Sequence, residues 1–185
     1  MEVAVRCINW IVAINLFEEI FDKDNSSKAI ISTSLHQHAE YIAAFSEIYK
    51  KGHTTNHTTS DYTGLLFLPL TLNKYPKAGN WLKQAEEGLE HYIRYQTYED
   101  GVNLKASIPY HRLFLEMFAF SAIVCKANNI ELSNKYYELL FKMFEYTAAL
   151  IWIITVMRHE LVIMTAAEYS FFMSQMNMII LICWI

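Results

Sequence analysis

The stretch that decides the fold is AGNWLKQAEEGLEHYIRYQTY, residues 78–98. Its apolar side chains recur every three or four positions, at Leu82, Ala85, Leu89, Tyr92 and Ile93. Apolar residues at this spacing fall along one side of an α-helix and bury that side against a neighbour. The stretch therefore predicts an amphipathic helix that packs on other helices.

Similar apolar stripes occur along the rest of the chain, separated by short polar joints. They predict further helices over residues 2–21, from a joint at 22–27 to about 50, from a polar, cap-rich entrance at 54–61 through 65–68, over 108–127, and from about 133 onward. Ser133 is a possible N-cap of the last helix. Its inward stripe is predicted to be Tyr137, Leu140, Phe141 and Phe144.

Composition supports a helical protein. The 185 residues are 54% hydrophobic but include only 5 Gly and 3 Pro, so residues that form turns are too scarce for a many-stranded β fold. Helix following helix through short joints predicts an all-α fold of antiparallel helical hairpins.

Charge and cysteine content exclude several classes of protein. The net charge is −4, which gives no basic surface for nucleic acid. Cys7, Cys125 and Cys183 are odd in number and far apart, so they form neither a disulfide framework nor a zinc motif, and the first two are predicted to be core thiols. The N-terminal run carries Glu2 and Arg6 and does not read as a secretory signal. We therefore expect the chain to begin inside a domain, and the compartment stays open between the bacterial periplasm and cytoplasm.

Two segments carry motifs beyond helix periodicity. They are NHTTSDYTGLLFL at residues 56–68 and QTYEDGVNLKASIPYH at residues 96–111. Their order and spacing resemble the heparinase II/III-like polysaccharide lyases, in which an Asn-His pair opens one helix and a Gln, Asp-Gly, Ser and Tyr-His pattern opens a later one. Arg6, Asn9 and Trp10 also fit, so the resemblance covers residues 1–151. The chain departs from the family at Lys105, where an acidic residue is usual.

The resemblance implies part of an (α/α) toroid, an incomplete barrel over residues 1–151. In the full protein a β-sandwich domain would follow, and this chain has no segment for it. The implied activity is cleavage of uronate-containing glycans by β-elimination. No cofactor is expected in this chain, although the family's second domain could hold a metal. We expect the chain alone, as a fragment, to be inactive.

Three residues are predicted to be catalytic. The Asn56 amide can neutralise a sugar carboxylate without adding a charge, and the start of a helix adds backbone donors. His57 can assist it or act as a base, because histidine titrates near neutral pH. The Tyr110 phenol can donate a proton to the leaving oxygen or remove one from the sugar.

Three neighbours of these residues are predicted to contact the acidic polysaccharide: Asn103, His111 and Arg112. His111 follows Tyr110 on the helix and points roughly 100° away, so it serves packing or substrate. No residue is predicted to bind a metal, since His36 and His38 lack the spacing of a ligand pair.

Other interpretations of the sequence stay open. Asn56 could be only an N-cap, and Tyr110 only a half-buried aromatic residue. The whole chain could be a non-catalytic helical-hairpin module that binds a protein or glycan. A third possibility is a membrane-associated protein anchored by its tail, but Arg158, Glu160 and Glu168 interrupt the apolar runs below the roughly 20 residues that a spanning helix needs.

Residues 152–185 change in character and fit no toroid helix. Reading each codon from Trp152 one base out of phase, from the third base of one residue, a permitted choice of codons gives Asp-Tyr-Asn-Gly-Asn-Ala-Pro-Arg and later text that resembles the family's Gly-Asp-Asn-Asp loop. Part of this rebuilt text is forced, because Trp152 followed by Ile153 must give Asp. We therefore expect a frame change just before Trp152, and an apolar tail that promotes aggregation.

Overall fold

The computed structural model describes residues 1–21, 23–45 and 55–156, and within these ranges it contains seven α-helices and no strand. The helices are α1 (Glu2–Leu16), α2 (Glu18–Phe21), α3 (Asn25–Phe45), α4 (Asn56–Thr71), α5 (Ala78–Gln96), α6 (Ile108–Ala127) and α7 (Asn134–Val156). The prediction of an all-α fold is confirmed. The predicted bounds of α6 also agree with the structure, including Pro109 in its first turn.

Three helices, α1, α4 and α6, form an inner layer and run in the same direction. On α1 and α4, Met1 lies beside Asp61 and Ala4 lies beside Gly64, so both helices advance together. A β-carbon on Gly64 would come within 2.8 Å of the Ala4 β-carbon. The glycine therefore allows these two backbones to pack closely.

Contacts between α4 and α6 show the same parallel direction. The Ser60 hydroxyl donates a hydrogen bond to the Met117 sulfur at 3.1 Å, and farther along both helices the rings of Phe67 and Phe120 stack at 5.1 Å. Both helix starts therefore lie at one end of the molecule.

The outer helices α5 and α7 are antiparallel to the inner helices on which they pack. Thr58 pairs with Tyr92, and Tyr62 packs on Gly88, so α5 is antiparallel to α4. A β-carbon on Gly88 would overlap the Tyr62 ring. The corresponding pairs between α6 and α7 are His111 with Tyr146 and Phe118 with Tyr136. The result is a two-layer array of helical hairpins, the arrangement expected for part of an (α/α) toroid.

The loop between α5 and α6 is fixed against α7. Gly101 has φ +88°, which side-chain-bearing residues rarely adopt, and a β-carbon there would overlap the Lys142 carbonyl oxygen. Thr97 and Asn103 form an isolated antiparallel bridge across the loop. The loop therefore has a defined path into the start of α6.

The start of α7 is capped from two sides. The Ser133 hydroxyl accepts a hydrogen bond from the Tyr136 backbone N–H at 3.1 Å, so the predicted N-cap is confirmed. The same hydroxyl donates to Glu90 on α5 at 2.7 Å, and Arg94 bonds to both Ser133 and Glu90. This cluster joins the start of α7 to α5.

Two predicted features of the helices are wrong. The first helix does not run unbroken to residue 21, because the chain turns at Phe17 between α1 and α2, and the residues around this break are exposed and bury nothing that would hold a longer helix. The inward stripe of α7 is wrong at two of its four positions, since Tyr137 is 40% exposed and Phe141 is 63% exposed. Leu140 is buried and Phe144 packs partly buried against the core, as predicted, while Tyr136, Leu139 and Met143 are buried in place of the other two.

The α7 shift has a physical cause in its neighbours. The Tyr136 hydroxyl donates to the Phe118 carbonyl oxygen on α6 at 2.9 Å, and Met143 packs beside Thr97 and His111. These contacts turn a different face of α7 toward the core than its own apolar pattern indicates. The spacing of apolar residues along one helix does not show which residues of another helix will contact it.

The segment predicted to fit no toroid helix begins inside α7, which continues through Trp152 to Val156. Residues 157–185 lie outside the described residues. By length and composition α6 alone among the described helices could cross a membrane, but half of it is buried in the protein, as is usual for a core helix. Cys7 and Cys125 are free thiols in the core, as predicted.

Candidate functional site

Asn56 is the first residue of α4. The N-cap of this helix is Thr55, in an extended conformation, and no side chain caps the helix. The interpretation of Asn56 as an N-cap is therefore wrong, and its amide does not serve the helix start. Asn56 is half-buried, and its Nδ2 donates to the Met1 sulfur at 3.2 Å.

Tyr110 is the third residue of α6 and is 43% exposed. Pro109 precedes it in the first turn, where a missing N–H costs the helix nothing and the fixed φ favours helix. The phenol is therefore presented at the mouth of the inner layer, with its backbone held by a well-formed helix start.

The two helix starts are brought to one face of the molecule. Asn56 lies one turn before Ser60 on α4, and Tyr110 lies seven residues before Met117 on α6. Residues four or seven apart share a helix face, and the Ser60 to Met117 contact shows that these two faces meet. With a rise of about 1.5 Å per residue, Asn56 and Tyr110 lie about 6 Å and about 10 Å from that contact, both toward the same end.

His57 follows Asn56 in the same helical turn and is also half-buried. Beyond it, Thr58 and Tyr92 are hydrogen-bonded across the α4–α5 seam, and burial raises the pKa of Tyr92 despite this bond. The entrance of α4 is therefore anchored immediately behind Asn56 and His57.

His111 faces α7 rather than the open end. It is 3% exposed, its Nε2 lies 3.2 Å from the Met143 carbonyl oxygen and 3.1 Å from the Thr147 hydroxyl, and its ring meets Tyr146 edge-on at 4.8 Å. Burial lowers its pKa, only partly opposed by the bond to Met143. In this chain His111 fastens the start of α6 to α7.

Asn103 is completely buried within the loop that leads to α6. Its Nδ2 donates to the Gln96 carbonyl oxygen at 2.9 Å, and its Oδ1 accepts from the Lys105 N–H at 3.0 Å. Both ends of the amide therefore hold the loop. The structure does not bring Asn103 together with Asn56 and Tyr110 on the exposed face.

Arg112 lies half-buried two residues after Tyr110, and Glu116 lies one turn beyond it. Burial raises the pKa of Glu116, and the Arg112 charge lowers it by less. Glu116 was not among the residues predicted from the sequence. An Arg and a Glu four residues apart in an otherwise apolar helix was the signal that pointed to this pair.

Metal-binding groups are not gathered in the part of the chain that the structure describes, since no three His, Cys, Asp or Glu side chains there are close enough to hold an ion. What the exposed end does gather is an amide, an imidazole and a phenol at two adjacent helix starts. Such groups can donate hydrogen bonds to an anion and move a proton beside it.

Comparison with known families decides the relationship. The profile described as Heparinase II/III N-terminus matches residues 1–153. The chain belongs to this family. The resemblance seen in the two sequence motifs is thereby confirmed. None of the curated proteins matches the chain.

A solved structure gives the same result for the fold. The chain is similar to the structure titled heparinase III, the BT4657 gene product with methylated lysines, with a TM-score of 0.60 and 19% sequence identity. The likeness covers 78% of this chain but 22% of that one, so this chain spans about a fifth of that protein's length. At this identity the likeness extends to the fold alone.

Proposed function

We propose that this chain supplies part of the active site of a polysaccharide lyase that cleaves uronate-containing glycans by β-elimination. Asn56 neutralises the sugar carboxylate, Tyr110 transfers the proton, and His57 assists as a second base or donor. The observation that carries the proposal is the convergence of the α4 and α6 starts at one end of the inner layer. Family membership supports the same reaction class.

The chemistry requires three functions at one sugar. The C5–H bond breaks, its electron pair forms the C4=C5 double bond, and the C4–O4 bond breaks as O4 takes a proton. The difficult step is removal of the C5 proton, because negative charge then develops on the carboxylate. Hydrogen-bond donors held near the carboxylate lower the barrier to this step. A neutral amide donates without competing for the proton, whereas a tyrosine that begins as the phenolate can accept the proton from C5 and then, as the phenol, deliver it to O4.

The remaining predicted residues take supporting roles in the proposal. Lys105 is exposed on the loop before Tyr110 and, with Arg112, would attract an acidic polymer to an otherwise acidic protein. Asn103 and His111 are buried, and we assign them to holding the loop and the start of α6. Their effect on substrate would then be indirect, through the position of Tyr110.

The test is a lyase assay that follows the ultraviolet absorbance of the unsaturated uronate product. We expect no activity from this chain and activity from the full-length protein of a frame-restored gene. In the latter, Asn56→Ala and Tyr110→Phe should each lower kcat on the order of 10²-fold or more, because each removes a group that acts on the developing charge or the proton.

Matched controls lie at the opposite end of the helices. Tyr137 is 40% exposed, close to the 43% of Tyr110, and Asn134 is an exposed asparagine at the start of another helix. Tyr137→Phe and Asn134→Ala should leave activity unchanged. Full activity in Asn56→Ala and Tyr110→Phe would reject the lyase site and favour the alternative, a binding module without catalysis.

We also propose that the gene carries a small insertion or deletion just before codon 152. The family profile ends its match at residue 153, next to the point where the residues change in character. Sequencing this region should show codons compatible with the rebuilt text. Codons that cannot give that text in the shifted frame would end the proposal without affecting the helical site.

A further inference from the structure

A cavity of about 460 Å³ lies at the end of the inner layer opposite Asn56 and Tyr110. It is formed by the C-terminal halves of α1, α4 and α6, and its lining side chains are mostly apolar. In its wall Phe67 is buried and stacks on Phe120, with the ring centroids 5.1 Å apart. Cavities of this volume and character hold small organic molecules in many proteins. The cavity therefore has the size and the apolar wall of a small-molecule site.

The polar side chains of the lining present hydrogen-bond acceptors. They are Asn15, Thr71 and Asn128, each at or next to the last residue of α1, α4 or α6. The Thr71 hydroxyl donates its hydrogen to the Phe67 carbonyl oxygen at 3.2 Å. The Asn15 and Asn128 amides donate from Nδ2 to the carbonyl oxygens four residues earlier, at 2.7 and 2.9 Å. Because each amide nitrogen is turned toward its own helix, each amide oxygen is turned away from it and can accept a hydrogen bond.

Three helix C-termini meet around the cavity. Because α1, α4 and α6 run in the same direction, the negative ends of their macrodipoles all lie at this end of the inner layer. Among the residues that the structure describes, no charged side chain lines the cavity. Lys126 is the only basic residue in the last turn of these three helices, and it is exposed and lies outside the lining. The negative potential of the helix ends is therefore not offset by a cation from the cavity wall.

We propose that this cavity binds a small organic cation in which an apolar body carries an ammonium group. The apolar body packs against the Phe67 and Phe120 rings and the aliphatic wall, where removal of apolar surface from water favours binding. The ammonium group has donors only, so it suits the oxygen atoms that Asn15, Thr71 and Asn128 present. A carboxylate at the same place would face those oxygen atoms and the negative ends of three helices. The site is separate from the proposed lyase site and does not depend on it.

Three probes that share one apolar body test the preference for a cation on the full 185-residue chain. They are phenylpropylammonium, phenylpropanol and phenylpropionate, which are positive, neutral and negative at neutral pH. Isothermal titration calorimetry should show saturable binding that weakens in this order, with the ammonium bound roughly tenfold or more tighter than the carboxylate. No saturable binding of the ammonium, or equally tight binding of the alcohol or the carboxylate, would overturn the proposal.

Nuclear magnetic resonance of isoleucine methyl groups locates the bound probe in the unaltered chain. The phenyl ring of the ammonium probe should shift the methyl signals of Ile11, Ile14 and Ile123, which line the cavity. The signals of Ile42 and Ile93 should stay in place, because these residues are buried in the core outside the lining. Shifts of equal size in both groups would place the probe elsewhere and overturn the proposal.

Ala127→Phe tests the same location by filling the cavity. Ala127 lines the cavity and is exposed at the end of α6, so a larger side chain there can enter the cavity without displacing the core. The substitution should weaken binding of the ammonium probe roughly tenfold or more. Ala149→Phe, at an exposed alanine of α7 outside the lining, is the matched control and should leave binding unchanged. Unchanged binding in Ala127→Phe would overturn the proposal.

Sedimentation velocity tests the alternative occupant, a second copy of this chain. The ammonium probe should leave the sedimentation coefficient of the chain unchanged, because the probe fills a cavity that no other chain occupies. A dimer that the probe dissociates would assign the cavity to a second copy and overturn the proposal.

Discussion

Ser60 on α4 donates its hydroxyl hydrogen bond to the sulfur of Met117 on α6, at 3.1 Å. This contact lies within the buried seam of the two inner helices, just beneath the residues that begin them. It fixes the relative position of α4 and α6 along their axes, and therefore how far Asn56 and Tyr110 each lie from this contact. The candidate site is therefore a property of helix packing and not of either motif alone.

Removing the Met117 side chain should destabilise this seam. Met117 is 8% exposed, and Met117→Ala should cost about 2–5 kcal/mol of unfolding free energy, the usual range for a large core residue cut to alanine. Chemical denaturation followed by circular dichroism measures it. Phe141→Ala, at a side chain that is 63% exposed, should change stability by no more than about 0.5 kcal/mol. Equal losses in both would mean that Met117 is not in the core.

Two glycines on α5 should respond to alanine in opposite directions. At Gly88 a β-carbon would overlap the Tyr62 ring, whereas at Gly79 it would meet no atom within 4 Å. Gly88→Ala should destabilise by about 1–3 kcal/mol or more through overpacking. Gly79→Ala should stabilise by about 0.4–1 kcal/mol, because alanine restricts the unfolded chain. Thermal unfolding of both variants measures the two signs, and stabilisation by Gly88→Ala would contradict the close approach of α4 and α5.

Helices α5 and α6 could be predicted because the residues that determine them lie within the helices themselves. The stripe from Leu82 to Ile93 and the proline at the start of α6 each determine a helix within their own few residues. The buried face of α7 could not be predicted, because Tyr136 is drawn inward by a carbonyl oxygen on α6, at Phe118, that the local sequence does not reveal.

The candidate site shows the same division. The motifs identified Asn56 and Tyr110 at helix starts, and the structure has them there. Sequence could not show that Asn103 and His111 are buried, because their partners are the Gln96 carbonyl oxygen and, on a distant helix, the Met143 carbonyl oxygen. The sequence of a motif is the same whether its polar side chain contacts substrate or a buried backbone atom.

The two core thiols should be unreactive in the folded protein. Burial raises the pKa of both Cys7 and Cys125 to about 12, so little of the nucleophilic thiolate exists near pH 8. With Cys183 replaced by serine, a thiol reagent at pH 8 should label the native protein slowly and should count two thiols after unfolding. Rapid labelling of the native protein would show that one of these cysteines is not buried.

His111 should make stability depend on pH in a defined direction. Burial lowers its pKa in the folded protein below the ordinary 6.5, so between these two values the unfolded chain binds a proton that the folded protein does not. Stability should therefore be at its plateau above pH 6.5 and fall as the pH drops from 6.5 toward the lowered value. His111→Gln should lessen this fall in unfolding free energy measured across that range. An identical pH slope in both proteins would contradict the buried, neutral imidazole.

The central claim is that Asn56 and Tyr110 act on one sugar at one site. Groups that act as a unit do not lose activity independently. In the full-length, frame-restored protein, kcat should therefore be measured for Asn56→Ala, Tyr110→Phe and the double variant. We predict that the double variant is no slower than about tenfold below the slower single variant. Losses that multiply, or a single variant that keeps full activity, would contradict a shared site.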